Sequence, residues 1–288
     1  MDGVLNLLKP PGMTSHDVVS VVRRALGVKK VGHTGTLDPG VAGVLPICVG
    51  RATRLAEFIA GEDKAYRAEI TFGTVTSTQD SFGEVISQQE AGHLTRGDVA
   101  YALARFHGPI MQVPPMVSAV KVGGKRLYEL AREGVEVERQ ARQVVIHRVQ
   151  LLDFQPGPAP KAMVDVVCSK GTYIRTLAHD LGQMLQVGAH MSYLVRTRSG
   201  PFSLADAATL EELLAGKAPM LPPAAALGEM ARVTVPTPAV ERLKHGVAPR
   251  LKLAHPNGTL VALLGADDDL LALAEAQDGA VKLLKVFA

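Results

Sequence analysis

The run Gly32-His33-Thr34-Gly35-Thr36-Leu37-Asp38-Pro39-Gly40-Val41-Ala42-Gly43-Val44-Leu45-Pro46 constrains this chain more than any other stretch. Its four glycines admit backbone angles closed to other residues and let the main chain approach another group closely. It reads as a loop with one carboxylate at its centre and a continuous apolar strand, Val44 to Val49, behind it. Asp-Pro-Gly alone is an ordinary turn signal. Asp38, however, is the only acidic residue between Asp17 and Glu57, and Lys29, Lys30, Arg51 and Arg54 flank it. A lone anion among cations and adaptable backbone reads as a group poised for a substrate.

Elsewhere strands and helices alternate without strict strand–helix–strand order. That favours an α+β fold with a mixed or antiparallel central sheet flanked by helices. Val4 to Leu8 reads as a short strand stopped by Pro10-Pro11-Gly12. Thr14, with Asp17 three residues on, starts a capping-box helix that runs to Gly27. Ala52 to Ala60 reads as a short helix, and Tyr66, Ala68, Ile70 and Phe72 alternate with polar residues as a half-buried strand. Thr95 to His107 is a capped helix, Met163 to Ser169 another alternating strand, and Ile174 to Val187 a helix ended by Gly188. A seam at Leu221-Pro222-Pro223 precedes a helix from Pro238 to His245 and three short strand-like runs. The expected division is therefore 1–230 and 231–288.

The 288 residues, 47% hydrophobic, suffice for a sizeable core. A net charge of +3 does not argue for nucleic acid, but its distribution does. Residues 1–60 hold seven basic and four acidic groups, whereas 61–140 hold nine and eleven, so the positive field gathers around the glycine loop. Cys48 and Cys168 lie in apolar runs without metal-ligand spacing and read as reduced core residues of a cytoplasmic protein. No secretory leader is expected, and no uncharged apolar run approaches the roughly 18 residues of a membrane span. P-loop, dinucleotide, metalloprotease and Gly-x-Ser-x-Gly patterns are missing, as is the zinc-deaminase signature. Neither a cofactor nor a metal is expected.

The segment Gly32 to Leu45, continued by Gly50-Arg51-Ala52-Thr53-Arg54-Leu55, resembles the signature of the bacterial tRNA pseudouridine-55 synthases. Further similar motifs are Lys9-Pro10-Pro11-Gly12-Met13-Thr14-Ser15, Asp63-Lys64-Ala65-Tyr66-Arg67, Ser169-Lys170-Gly171-Thr172-Tyr173-Ile174-Arg175-Thr176-Leu177, and the stretch from Gly188 to Arg198. The resemblance covers roughly residues 3–205. It implies the pseudouridine synthase fold and isomerisation of a uridine in the T-loop of tRNA. By the same resemblance Asp38 is the catalytic carboxylate, and Arg175 pairs with it and keeps it anionic. Tyr66 stacks on the target uracil and assists proton transfer, Tyr173 lines the pocket, and Leu194 forms an apolar wall. His33 fills the gap left by the flipped nucleotide, and Lys9 supports the pocket. An insertion at about 114–138, carrying Lys121 and Lys125, lies against the RNA. The tail resembles a small β-rich PUA domain that binds RNA. The implied partner is tRNA, with no membrane, no obligate protein partner and a monomeric enzyme.

On residues alone, Arg175 reads rather as a surface charge opening a helix and Lys121 and Lys125 as parts of a plain hairpin, while Tyr66 has the alternative of a core tyrosine. Two other functions are compatible with the chain. One is the same chemistry steered by a guide RNA in a multi-protein particle; the other is a non-catalytic RNA-binding module. Where the family pattern has an acidic residue near Ser77, this chain has only Asp80, which reads as a surface variation without bearing on the reaction.

Overall fold

The computed structural model describes residues 1–287 and is α+β. By its contacts the chain divides into two units, Glu62–Arg198 and a second made of Met1–Gly61 with the chain from Ser199 onward.

In the unit holding both ends of the chain, the strand Gly3–Lys9 runs antiparallel to Ala42–Val49, in register from Gly3 opposite Val49 to Lys9 opposite Gly43. Met220–Leu221 pairs with the outer edge of the first strand, and Val31–His33 pairs with Val49, Cys48 and Ile47. The helix Ser15–Leu26 starts at the capping box formed by Thr14 and Asp17 and ends on Gly27 at φ 65. A cap of that kind contributes about 1 kcal/mol. The apolar strand Ala42–Val49 is almost wholly buried, with Val44, Leu45, Ile47, Cys48 and Val49 each at 0% exposure. Where one short helix was expected over 52–60, a 3₁₀ turn over Gly50–Leu55 leads into the helix Ala56–Ala60.

The same unit contains a four-stranded sheet in the order Ala231–Thr234, Leu260–Leu264, Leu270–Gln277, Ala280–Val286. The first pair is parallel and the other two antiparallel. Its Ala262, Leu264, Leu270 and Leu273 share one core with Val4, Cys48, Leu55 and Ile59. The last strand is tied down by cations: Arg51 donates to the Phe287 carbonyl at 2.7 Å and Arg54 to that of Val286 at 2.5 Å. Arg51 also pairs with Asp2 at 2.8 Å, and Lys285 with Glu57 at 2.8 Å. Two of the four cations expected to build the field around Asp38 are therefore committed to the end of the chain.

In the other unit the sheet runs Ala189–Ser199, Lys64–Phe72, Lys161–Cys168, Arg142–Gln155, Gly108–Gln112. The helices Arg96–Ala104 and Ile174–Met184 contribute Val99, Leu103, Leu177 and Leu181 to the buried core. Expected to run to Val187, the second helix stops three residues earlier. Gln186 turns to φ 58, Gly188 to φ 67, and the Gly188 N–H donates to the Gly182 carbonyl at 3.0 Å. Any Cβ at Gly182 would sit 2.2 Å from the Ala189 nitrogen, so this reversal demands glycine there. Within 114–138 the chain forms a two-stranded hairpin, Lys121–Val122 with Lys125–Arg126, and the helix Leu127–Arg132. Both cysteines are free and buried, and burial pushes their thiols up to about 12 for Cys48 and about 11 for Cys168. Thiols held that high are unreactive at neutral pH.

Candidate active site

In the unit with both chain ends, the backbone on each side of Asp38 is pinned by buried side chains. Ser15, at the start of the first helix, receives the Leu37 N–H at 2.9 Å and donates its hydroxyl to the Leu37 carbonyl at 3.2 Å. On the other side the Pro39 carbonyl accepts from Lys9 Nζ at 3.1 Å and from the Gly12 N–H at 2.9 Å. Lys9 is 0% exposed and also donates to the carbonyls of Pro10 (3.0 Å) and Met13 (2.5 Å). Asp38 itself is half-buried and closes a turn in which the Val41 N–H donates to its carbonyl at 3.0 Å. A carboxylate whose two neighbours are both anchored presents a fixed direction of approach.

His33 is half-buried, and its Nδ1 accepts from the Gly35 N–H at 3.3 Å. In the neutral ring that leaves the proton on Nε2. The structure thus brings Lys9, His33 and Asp38 into one loop assembly. Ser15 escapes the sequence reading because a serine in a helix's first turn carries no mark of a partner 22 residues away.

Replacing Lys9 by Met is expected to lower stability by about 2 kcal/mol, because hydrogen bonds from a charged donor are lost and carbonyls stay buried. Urea unfolding measures this, and a loss below about 0.5 kcal/mol would show that the ammonium does not hold the turn.

The other unit carries Tyr66, Tyr173, Arg175 and Leu194. Arg175 is 3% exposed at the start of its helix, which removes the reading of it as a surface charge. Its Nη2 donates to the Val117 carbonyl at 2.7 Å and its Nη1 to that of Thr78 at 3.2 Å. Its Nη1 also lies 3.5 Å from Asp80 Oδ2. Asp80 is 7% exposed and takes further hydrogen bonds from Thr78 Oγ1 at 2.5 Å and the Phe82 N–H at 3.0 Å. This corrects the reading of Asp80 as a surface variation: it is a buried carboxylate that gives Arg175 a counter-charge.

Gln112, 2% exposed, grips the Tyr173 main chain from both sides, accepting its N–H at 3.0 Å and donating to its carbonyl at 3.2 Å. Tyr173 is half-buried, as is Tyr66 on the strand Lys64–Phe72, and Leu194 is 8% exposed. Arg196 is buried at 2% exposure, not solvated. Lys121 and Lys125 are exposed on their hairpin, and Lys125 is paired with Glu133 at 3.0 Å, which offsets its charge.

Lys64, two residues before Tyr66, is 6% exposed and donates to the Glu62 carbonyl. Burial, with the nearby Arg196 charge adding to it, pushes its ammonium down to about 8. Unfolding restores an ordinary value of about 10.4, so between these limits the unfolded chain binds more protons. The resulting stability is full above about 10.4 and lost as pH falls to about 8. Wild type should therefore gain stability relative to Lys64→Met between about pH 8 and pH 10.4, as read by urea unfolding. A pH-independent difference would contradict this environment.

Among the described residues no group of His, Cys, Asp and Glu is placed to hold a metal ion, and no helix is long and apolar enough to cross a membrane.

Two family models match the chain. The N-terminal domain of the TruB family of pseudouridylate synthases matches residues 23–174, and the C-terminal domain of tRNA pseudouridylate synthase B matches 175–220. The chain is 80% identical over 252 residues to the tRNA pseudouridine synthase B of Symbiobacterium thermophilum, covering 88% of this chain and 84% of the relative. To that of Pelotomaculum thermopropionicum it is 52% identical over 293 residues, covering 96% and 92%. Among solved structures, a chain of a Cbf5–Nop10–Gar1 complex superposes with TM-score 0.79 at 30% identity, covering 99% of this chain and 85% of that one. Sequence, fold and site motifs agree, and the chain belongs to the TruB family of pseudouridylate synthases.

Proposed function

We propose that this protein converts a uridine in the T-loop of tRNA, at position 55, to pseudouridine, with Asp38 as its catalytic carboxylate. The 80% identity to a relative named tRNA pseudouridine synthase B carries this reading. The glycosidic bond from N1 to the sugar carbon breaks, the uracil turns, and a bond from C5 to the same carbon forms. C5 loses a proton and N1 gains one, so the formula is unchanged. Asp38 attacks the nucleoside, and Arg175 faces it as counter-charge. Tyr66 stacks on the uracil and moves the C5 proton, while Tyr173 and Leu194 shape the pocket around it.

His33 takes the place of the extruded nucleotide, and Lys9 holds the turn on which Asp38 sits. Lys121 and Lys125, with the rest of 114–138, lie along the RNA, and the segment 231–288 adds a further RNA contact. Flipping a base costs a few kcal/mol, least where it is already unpaired, which favours a loop. The enzyme acts in the cytoplasm as a monomer without an obligate protein partner.

Primer-stop mapping of pseudouridine on an unmodified tRNA transcript, incubated with the pure protein, tests the reading. A single stop at the T-loop uridine supports it. Conversion only when a guide RNA is added would replace it with the guided mechanism, and no conversion under either condition would leave an RNA-binding module.

A further inference from the structure

The end of the helix Ser15–Leu26 and the loop after it carry Arg23, Arg24, Lys29 and Lys30, all four exposed. No acidic residue occurs between Asp17 and Asp38. Among the described residues no carboxylate pairs with any of these four cations, whereas in the same unit Arg51 pairs with Asp2, Lys285 with Glu57 and Lys282 with Glu275. The helix dipole favours Arg23 and Arg24 in its last turn. Lys29 and Lys30 lie beyond the cap at Gly27 and have no such compensation. Four like charges within eight residues repel one another, a cost that an anion removes.

The backbone beneath them is fixed. Arg23 Nη2 donates to the Val31 carbonyl at 3.2 Å, its carbonyl accepts the Val28 N–H at 3.3 Å, and the Lys30 carbonyl accepts the Gly50 N–H at 2.7 Å. Between residues 2 and 81 no large hydrophobic side chain is exposed. A protein partner buries an apolar centre and a membrane surface takes an apolar face, but a phosphate backbone needs only cations. Lys30 immediately precedes the strand Val31–His33. At about 3.3 Å per residue His33 lies roughly 10 Å further along, or about three nucleotide steps of roughly 3.4 Å.

We propose that Arg23, Arg24, Lys29 and Lys30 form a phosphate track that holds the RNA backbone about three nucleotides from the target uridine. The track and His33 stand at opposite ends of one short strand. A backbone held at one end therefore sets the register in which the target nucleotide meets Asp38. The inference rests on the reading that the substrate is RNA.

Binding of T-arm stem-loop RNAs tests it. Each carries the unmodified target uridine and one uncharged methylphosphonate linkage, moved stepwise along the strand. These are titrated against the full-length wild type and Arg24→Gln/Lys29→Gln/Lys30→Gln. All three positions are exposed, so the fold should survive, which the melting temperature checks. Arg23 is kept because it ties the helix end to Val31. On the all-phosphate RNA the triple variant should bind at least about tenfold more weakly, with a salt slope smaller by about two to three. Lys30→Gln alone, with a slope change of about one, replaces it if the melting temperature falls. A methylphosphonate about three nucleotides from the target should weaken wild type about fivefold and the variant less than about twofold, since both changes remove one contact. Equal losses at every linkage would reduce the cations to a diffuse field and overturn the track, as would an unchanged salt slope. Binding of wild type but not the variant to vesicles of anionic lipid, with RNA binding alike in both, would assign the patch to a membrane surface instead. Pseudouridine formation by wild type on the all-phosphate stem-loop is followed alongside: product without coupling rejects the track alone, whereas no product rejects the enzymatic reading itself.

Discussion

Asp38→Asn is expected to cut pseudouridine formation by at least about four orders of magnitude, the scale on which removal of a covalent nucleophile shows in turnover. Binding of tRNA should survive. The amide has the carboxylate's shape, and the turn that presents it is held through the main chain of Leu37 and Pro39 by Ser15 and Lys9. Loss of one negative charge beside a polyanion, if it changes affinity at all, raises it. Single-turnover conversion and equilibrium tRNA binding, measured on the same preparation, separate chemistry from recognition. An Asn variant that modifies tRNA at the wild-type rate would remove Asp38 from the reaction. A variant that loses conversion and binding together would make it a fold or RNA contact instead.

What the sequence makes legible follows from the range of the interactions concerned. The capping box of Thr14 and Asp17 spans three residues, and the structure reproduces it to the side-chain oxygen. Alternation from Tyr66 to Phe72 reports one sheet face, and the strand Lys64–Phe72 is there. The 14-residue strand Arg142–Gln155 escapes, because most of it is partly or fully exposed and two register shifts break its alternation. The strand Ala231–Thr234 is four residues long and gains definition only from its parallel partner Leu260–Leu264.

The site divides along the same line. Motif residues are visible as motifs, whereas the groups that hold them are ordinary residues at long separation. Gln112 meets Tyr173 across 61 positions, and Thr78 meets Arg175 across 97. Nothing local marks a glutamine as the brace of a tyrosine's backbone. Asp80 reads as a surface residue for the same reason: its neighbours Ser77, Thr78, Gln79 and Ser81 are polar, and only the fold puts it beside a buried guanidinium.

That buried pair makes Asp80→Ala the substitution with the largest expected effect on stability. The side chains of Arg175 and Asp80 are 4% and 10% exposed, so removing the carboxylate takes a counter-charge from a cation held out of reach of bulk water. Breaking one side of such a pair costs about 3–5 kcal/mol. For a chain of this size that lowers the melting temperature by roughly 10 °C. Arg175 also ties the Val117 and Thr78 carbonyls to the start of its helix, so its displacement should loosen both segments and depress turnover.

Asp80→Asn separates the causes. It retains an oxygen for the Phe82 N–H and Thr78 hydroxyl but lacks the charge, so it should recover part of the melting temperature and little of the turnover. Equal melting of Asp80→Ala and wild type would show that Arg175 does not depend on this carboxylate. Full turnover in Asp80→Asn would show that the charge serves the fold alone.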